Sequence, residues 1–481
     1  METQMTLLDT PYGRRGPREP DVVATGRPSR APVWLVVVAA SLPMFMATLD
    51  NLVMTSALPV VRADLGASVG QLSWFLNAYT LTFATFMLPA ATLGDRLGRR
   101  RVMVAGLTVF TLASIAAALS STSEALIAAR AVQGLGAAAI MPLSLTLLAS
   151  SVSPALRPVA IGVWGGVSGL GVALGPVVGG AVVEGISWQA IFWLNVPVAL
   201  VAVPLLLLTV GESRGAWQRL DPVGTLLIGG GVLAGVWGMV HGNEDGWGSP
   251  GVLVPLVLAG VLVPAYVLWA RGRSYAVLPL RLFSSRGFSV ANAVALLFTT
   301  GVFGTVFLLS QYLQVVQGYS PLEAGLRTLP WTAAPMVVAP IAGALASRTG
   351  LRALLLVGLG LQTAALAWFA VVTESGAAYE AFVVPLAMAG VGMGLTFAPS
   401  ATMVLDGLPD DDFAIASSAN STIREFGVAF GIALLTAVFL GNGGEISPTG
   451  YDGAAGPALL TGAAAVGLAT LAALLAPRRA R

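Results

Sequence analysis

Asp50 is an acid in the middle of an apolar stretch, Val33 to Leu58, and is the only formal charge in it. A carboxylate near the centre of a bilayer costs about 2.5–3.5 kcal/mol on insertion scales, so such a residue normally faces a water-filled cavity and handles a proton or cation. Its alternative role is that of structural partner to an arginine. Arg130, in another apolar stretch, is the cation to consider. At 1.5 Å of rise per residue both lie roughly 8–12 Å in from the same membrane face. Equal depth permits coupling; the alternative is a snorkelling Arg130 that reaches the interface. Glu425, near mid-depth of a late stretch, is the rival proton site. Arg424 beside it projects about 100° away on a helix, so the two need not pair, although a structural ion pair is the plainer role for Glu425.

The elements that carry these residues follow from composition. The 481 residues are 56% hydrophobic and 10% charged, against about 25% charged in soluble domains. Apolar stretches of bilayer-crossing length recur along the chain, and the short alternating segments of a β-barrel do not. The fold class is an all-α polytopic membrane protein. Fourteen spans are predicted, at 33–58, 71–93, 102–120, 125–149, 158–183, 190–210, 222–241, 251–270, 288–316, 325–346, 353–373, 380–404, 414–440 and 457–476. An even number puts both termini on one side. All 25 basic residues are Arg, and 21 of them fall on the side of the termini, with only Arg62 in an opposite loop. The positive-inside rule makes both termini cytoplasmic. The acidic run Asp410 to Asp412 falls on the same side and counts little.

Composition also excludes chemistry. Zero Cys rules out disulfides, thiol catalysis and thiolate metal sites. Without lysine there is no Gly-x-x-x-x-Gly-Lys nucleotide loop, so energy comes from an ion gradient or a partner chain. His241, the only histidine, lies beside Asn243, Glu244 and Asp245 at a span end and reads as a wet loop residue rather than a metal ligand. Met1 to Pro32 is polar and Arg-rich, lacks a cleavable signal pattern, and reads as a disordered tail.

Several strings carry a family resemblance. Gly94-Asp95-Arg96-Leu97-Gly98-Arg99-Arg100-Arg101 joins spans two and three; it resembles the signature loop of the major facilitator superfamily, with Ala91 where Gly is usual. Arg130-Ala131-Val132-Gln133-Gly134-Leu135-Gly136 is similar to that superfamily's second motif. Gly171, Gly175 and Gly179 recur every four residues in span five, a spacing that allows close helix packing, and Pro176 would bend that helix. Gly-Pro-x-x-Gly-Gly there resembles the antiporter-branch motif. Trp188 to Pro197, Tyr312-Leu313-Gln314 with Gly318 to Gly325, and Arg424-Glu425-Phe426-Gly427 look like strings of the fourteen-span drug:proton antiporters. Asp50 with Ala57, Leu58 and Pro59 fits that family's first-span pattern, though Leu52 and Thr55 replace its usual Thr and Asn.

The resemblance implies a major facilitator fold: two six-helix bundles at 33–210 and 288–476, two additional central transmembrane helices within 211–287, and tails at 1–32 and 477–481. It implies alternating access by rocking of the halves around a midplane site. The expected activity is efflux of a lipophilic or cationic small molecule, such as an antibiotic or biocide, across a bacterial plasma membrane in exchange for protons. No cofactor, metal or nucleic acid is implied, and the expected state is a monomer in the lipid bilayer. Proton coupling is expected of Asp50, Arg130, Glu425 and Arg424, and gating or structural roles of Asp95, Arg96, Gly98, Arg99, Gly171, Gly175, Pro176 and Gly179. Trp74, Asn77, Tyr79, Gln133, Gln311, Tyr312 and Gln314 are candidate cavity linings, with interfacial anchoring the alternative for Trp and Tyr. A proton-coupled transporter of an endogenous metabolite is the rival within transport; a non-transporting sensor is the rival outside it. A membrane enzyme finds little catalytic equipment here.

Overall fold

The computed structural model describes residues 31–477 apart from 154–155, 215–218, 244, 375–376, 407 and 409–412. The Asp410–Asp412 run, Glu244, nearly all of the N-terminal tail and Arg478, Arg479 and Arg481 lie outside the described residues. The α-helices are α1 (Val33–Leu65), α2 (Val69–Leu97), α3 (Arg99–Ala118), α4 (Ser123–Ser151), α5 (Arg157–Gly185), α6 (Ala190–Trp193), α7 (Asn195–Thr209), α8 (Pro222–His241), α9 (Pro250–Ala270), α10 (Arg286–Val315), α11 (Pro321–Arg327), α12 (Leu329–Thr332), α13 (Ala334–Thr349), α14 (Leu351–Glu374), α15 (Glu380–Leu405), α16 (Phe413–Gly441) and α17 (Ala455–Ala473). A short 3₁₀ turn, Leu280–Ser284, leads into α10. Eleven described helices are long and apolar enough to cross a membrane, counting α6 and α7 as one, and Ala173–Gly185 and Leu329–Gly343 are shorter apolar helices.

The helices run past several expected boundaries. α1 continues two turns beyond Leu58 to a left-handed Gly66 cap, so Arg62 belongs to its last turn rather than to a loop. α2 opens with a reciprocal capping box between Ser68 and Gln71. The expected sixth span is broken at Leu194. Pro197 accounts for the break, since its ring crowds the carbonyl four residues back, at Trp193. The expected tenth span starts four residues early and is cut into α11, α12 and α13, with Pro330 and Pro335 near the starts of the later pieces.

Packing repeats between the two parts of the chain. In the first part α1 packs on α4, α5 and α7, α4 on α2 and α3, and α3 on α7. In the second part α10 packs on α15, α16 and α17, α15 on α13 and α14, and α14 on α17. The same helix pairs thus recur in the same order. The parts meet through α2 with α16, α5 with α11, and α1 with α10, pairings that a two-fold exchange of the parts would interchange. α8 and α9 pair with each other, and α8 lies against α2 and α16. Trp74 meets Trp237 there at 5.5 Å. Most of α9 is exposed apolar surface, as befits a helix facing lipid.

At the arginine-rich end, α3 begins immediately after Gly98, whose φ of +116° suits glycine alone. A side chain at Gly98 would also strike the Glu212 carboxylate, which lies 2.7 Å from where a Cβ would stand. That carboxylate accepts from Arg100 N at 3.0 Å and Arg101 N at 3.3 Å, so an acid from after α7 caps the start of α3. In return the Arg100 side chain donates to the carbonyls of Leu207 and Val210 at the end of α7. Each charge sits at the helix end whose dipole favours it. Glu212→Ala is expected to destabilise the protein by about 1–2 kcal/mol. A lower melting temperature in detergent, absent in a variant of the exposed Asp452, Asp452→Ala, would register it.

Candidate functional site

Asp50 sits where α1, α4 and α7 meet. It is 5% exposed. Its Oδ2 accepts from Arg130 Nη1 at 2.5 Å, and its Oδ1 accepts from Gln133 Nε2 at 2.8 Å and Asn195 Nδ2 at 2.7 Å. The ion pair is almost wholly buried on both sides. Arg130 also donates to the Phe75 carbonyl at 3.0 Å and to Gln133 Oε1 at 2.6 Å. Its guanidinium lies 4.4 Å from the centre of the Tyr79 ring and 5.9 Å from that of Phe192. Ser114 on α3 accepts from both Gln133 and Asn195. A buried pair gains from partners for its remaining polar atoms; this carboxylate has three donors, whereas Arg130 Nη2 is without a partner among the described residues.

Each helix has a reason to present its member. Arg130 and Gln133 are three residues apart on α4 and therefore share a face. Asn195 occupies the first position of α7, after the break that Pro197 imposes. Asp50 and Arg130 are marked in the sequence by their charge. Asn195 appears there only inside a string, and Ser114 is missed altogether, since no local pattern marks it.

One layer away lies a cavity of about 1000 Å³. Ala47 and Asn51, on either side of Asp50 on α1, line it; Asp50 does not. The wall is largely apolar, with Met44, Phe83, Met87, Trp164, Phe303, Met336 and Phe397, interrupted by Thr48, Ser418, Ser421 and Glu425. It draws on both parts of the chain and runs to the arginine-rich end, where Asp95, Arg99, Arg219, Asp221 and residues 274–277 surround its mouth. Asp95 and Arg99, one turn apart, pair at 2.7 Å. Arg424 lies 4.0 Å from Glu425, the limit of an ion pair, and 5.6 Å from the Phe397 ring centre. Both line the cavity.

The opposite end is shut. Ser310 Oγ donates to the Thr55 carbonyl at 3.0 Å and Gln314 Nε2 to the Ser56 carbonyl at 3.1 Å, joining α10 to α1. Arg62 reaches the Ile446 carbonyl in the loop before α17. Between α5 and α11 the contact is backbone on backbone: a Cβ at Gly180 would come within 2.3 Å of the Pro321 carbonyl oxygen, and one at Gly325 within 2.3 Å of that of Pro176. Gly171, Gly175 and Gly179 face α1 at Thr48, Leu52 and Val53. Ser56 Oγ also donates to the Pro176 carbonyl at 3.1 Å.

Of the seven cavity candidates, Tyr79 lines the wall, and six lie elsewhere. Gln133 is a partner of Asp50. Trp74 packs against α8. Asn77 is buried, with neither side-chain polar atom partnered among the described residues. Gln311 donates to the Phe307 carbonyl, and Tyr312 is packed between Phe382 and Tyr451. Gln314 belongs to the closed end. Helical phase explains the split: Tyr79, Phe83 and Met87 recur every four residues, whereas Asn77 and Trp74 point about 120° and 180° away from the centre of that stripe. Arg96 stands in α2's last turn. His241 ends α8 and stacks on Trp237 at 4.3 Å.

Residues 40–432 match the family described as Major Facilitator Superfamily. Among similar proteins are the tetracenomycin C resistance and export protein of Streptomyces glaucescens, 30% identical over 88% of this chain and 78% of that one. The multidrug resistance protein Stp of Mycobacterium tuberculosis is 34% identical over 84% of this chain and 75% of its own length. The cephamycin export protein CmcT of Amycolatopsis lactamdurans is 34% identical over 88% of each. Among solved structures, a peptide transporter, POT, in complex with sulfate superposes with a TM-score of 0.65 at 17% identity, covering 92% of this chain and 95% of that one. A bacterial homolog of the lysosomal transporter Spinster, inward-facing and unoccupied, gives 0.65 at 16% identity over 92% and 97%. These two likenesses speak to the fold alone.

Proposed function

Because this chain belongs to the Major Facilitator Superfamily, we propose that it is a proton-coupled exporter of lipophilic or cationic small molecules, antibiotics or biocides among them. The observation that carries the reading is the buried Asp50–Arg130 pair, set one residue layer behind a mostly apolar cavity. The names of its relatives, resistance and export proteins for tetracenomycin C, cephamycin and multiple drugs, support the direction of transport and the substrate class. We take the membrane to be the bacterial plasma membrane, crossed fourteen times by a monomer. The arginine-rich end and both termini would then be cytoplasmic, making the described conformation inward-open.

In this reading ionised Asp50 ties α1 to α4 and α7 through Arg130, Gln133 and Asn195. A proton arriving at the carboxylate removes the charge that holds the guanidinium and one acceptor position. The three helices can then repack, and repacking is coupled to reorientation. Release of the proton to the cytoplasm restores the cluster as described, ready for substrate. Met, Phe and Trp side chains suit varied apolar bodies, since they adapt their packing to many shapes. Glu425, whose one ion-pair partner among the described residues is Arg424 at 4.0 Å, is the carboxylate we assign to recognising a substrate cation from within the cavity. Tyr79 contacts both the cavity and Arg130 and would link the two sites.

Everted membrane vesicles energised to hold a pH gradient test this. Addition of a transported dye or antibiotic is expected to collapse part of the gradient. A broad panel that leaves the gradient untouched while other compounds enter the vesicles without it would refute proton-coupled export.

A further inference from the structure

The cavity mouth receives two segments from the additional helix pair, residues 219–221 before α8 and 274–277 after α9. They are held firmly. Asp221 is buried, and its carboxylate accepts from Gly224 N at 2.8 Å, Trp269 Nε1 at 3.0 Å and Val277 N at 3.2 Å. Arg273 covers the Trp269 ring at 3.8 Å. The Tyr266 hydroxyl donates to the Leu278 carbonyl at 2.9 Å and accepts from Leu278 N at 2.7 Å. One carboxylate and one phenol thus clamp both linkers to the ends of α8 and α9. What the clamp leaves facing the mouth is an exposed Arg219, Ser274 and a half-buried Tyr275.

The charges at this mouth are unequal. Asp95 is matched by Arg99 at 2.7 Å. Asp221 is occupied by three neutral donors. Arg219 has no ion-pair partner among the described residues. A clamped backbone that presents a guanidinium without an ion-pair partner among the described residues, and a tyrosine ring on the same wall of an apolar cavity, is suited to an amphiphile bearing an oxyanion. We propose that the linkers of the additional helix pair form a substrate station at the mouth, where Arg219 binds a carboxylate or phenolate and Tyr275 supports an attached ring before the apolar body moves inward. The station rests on the reading of the cavity as a transport route and names a second chemical class for it. It also gives the two additional helices a purpose, as the strut that holds the station in place.

Two xanthene dyes of similar shape, anionic fluorescein and a cationic rhodamine ester, provide the test. The first measurement is equilibrium binding to the purified full chain in nanodiscs of phosphatidylcholine only, where no anionic headgroup competes. Arg219→Ala is expected to weaken fluorescein binding by about fivefold, as for a partly exposed charge contact, with rhodamine binding unchanged. Arg219→Lys should keep most of the affinity, and Tyr275→Ala should weaken both dyes. Fluorescein affinity unchanged in Arg219→Ala would overturn the station. The second measurement is transport in everted vesicles, where Arg219→Ala should raise KM for fluorescein with kcat unchanged. An equal fall in kcat for both dyes would overturn it in favour of a role in reorientation. Arg219-dependent binding without transport of either dye would leave the station standing and count against export. Transport whose binding step ignores Arg219 would do the reverse.

Discussion

Asp50→Asn is expected to abolish substrate-driven proton movement in everted vesicles and to lower the melting temperature as well. The two effects have different origins. The amide cannot take up or release a proton, so coupling is lost whatever the helices do. It also leaves Arg130 buried without its counter-charge, and breaking a buried pair by removing one partner costs about 3–5 kcal/mol. Asp50→Asn combined with Arg130→Gln separates them. The double variant has no orphaned charge and should recover much of the stability while transport stays lost. If Asp50→Asn still exchanges protons for substrate, the coupling carboxylate is elsewhere, and Glu425 is the group facing the cavity to test next.

The second large effect is expected from one methyl group. In Gly180→Ala the new Cβ would meet the Pro321 carbonyl oxygen at 2.3 Å and Leu322 Cα at 2.5 Å. Those atoms are backbone and cannot rotate away. Overpacking of this kind costs about 1–3 kcal/mol, and here the cost falls only on conformations in which α5 and α11 touch. The balance between open directions should move by about 5- to 150-fold away from the described conformation. The chain has no cysteine, so a single introduced thiol reports without background. Ser418→Cys, on the cavity wall, should react more slowly with a maleimide from the arginine-rich side in the Gly180→Ala background. Gly185→Ala is the control, because nothing lies within 4 Å of its Cβ position. Unchanged labelling would mean that the α5–α11 contact does not gate the cavity.

How much of this is legible in the sequence varies with the kind of information each residue carries. Apolar runs announce the helices because burial in lipid demands them. Asp50 and Arg130 stand out because charge in such runs is costly, and their matching depth follows from helical rise alone. The polarity of Gln133 suggests a cavity lining, yet it turns to Asp50, since the angle at which α4 packs on α1 decides its facing. Ser114 is invisible for the same reason: a serine within α3 acquires meaning only from what α4 and α7 bring to it. The ends of α1 and the segmentation of α11–α13 depend on capping and on proline crowding, which hydropathy does not register. Asp221 and Glu212 each sit in a loop, and their carboxylates gain importance from backbone N–H groups distant in sequence.

The closed end at α5 and α11 is built mostly from peptide groups and glycine, with the Glu184 carboxylate accepting from Leu322 N at 3.3 Å. If the cavity carries substrate as proposed and this contact gates it, substrate range and access control are encoded separately. In that reading, wall residues such as Phe83, Met87 and Ser418 can change with the substrate without altering the glycine–carbonyl contacts between α5 and α11. Conversely, a compound that wedges between Gly180 and Pro321 would stop the cycle without resembling any cargo. Resistance to it would have to come from the few glycines and prolines of that contact, where an added methyl group strikes backbone, a narrower route of escape than exchanging one wall side chain for another.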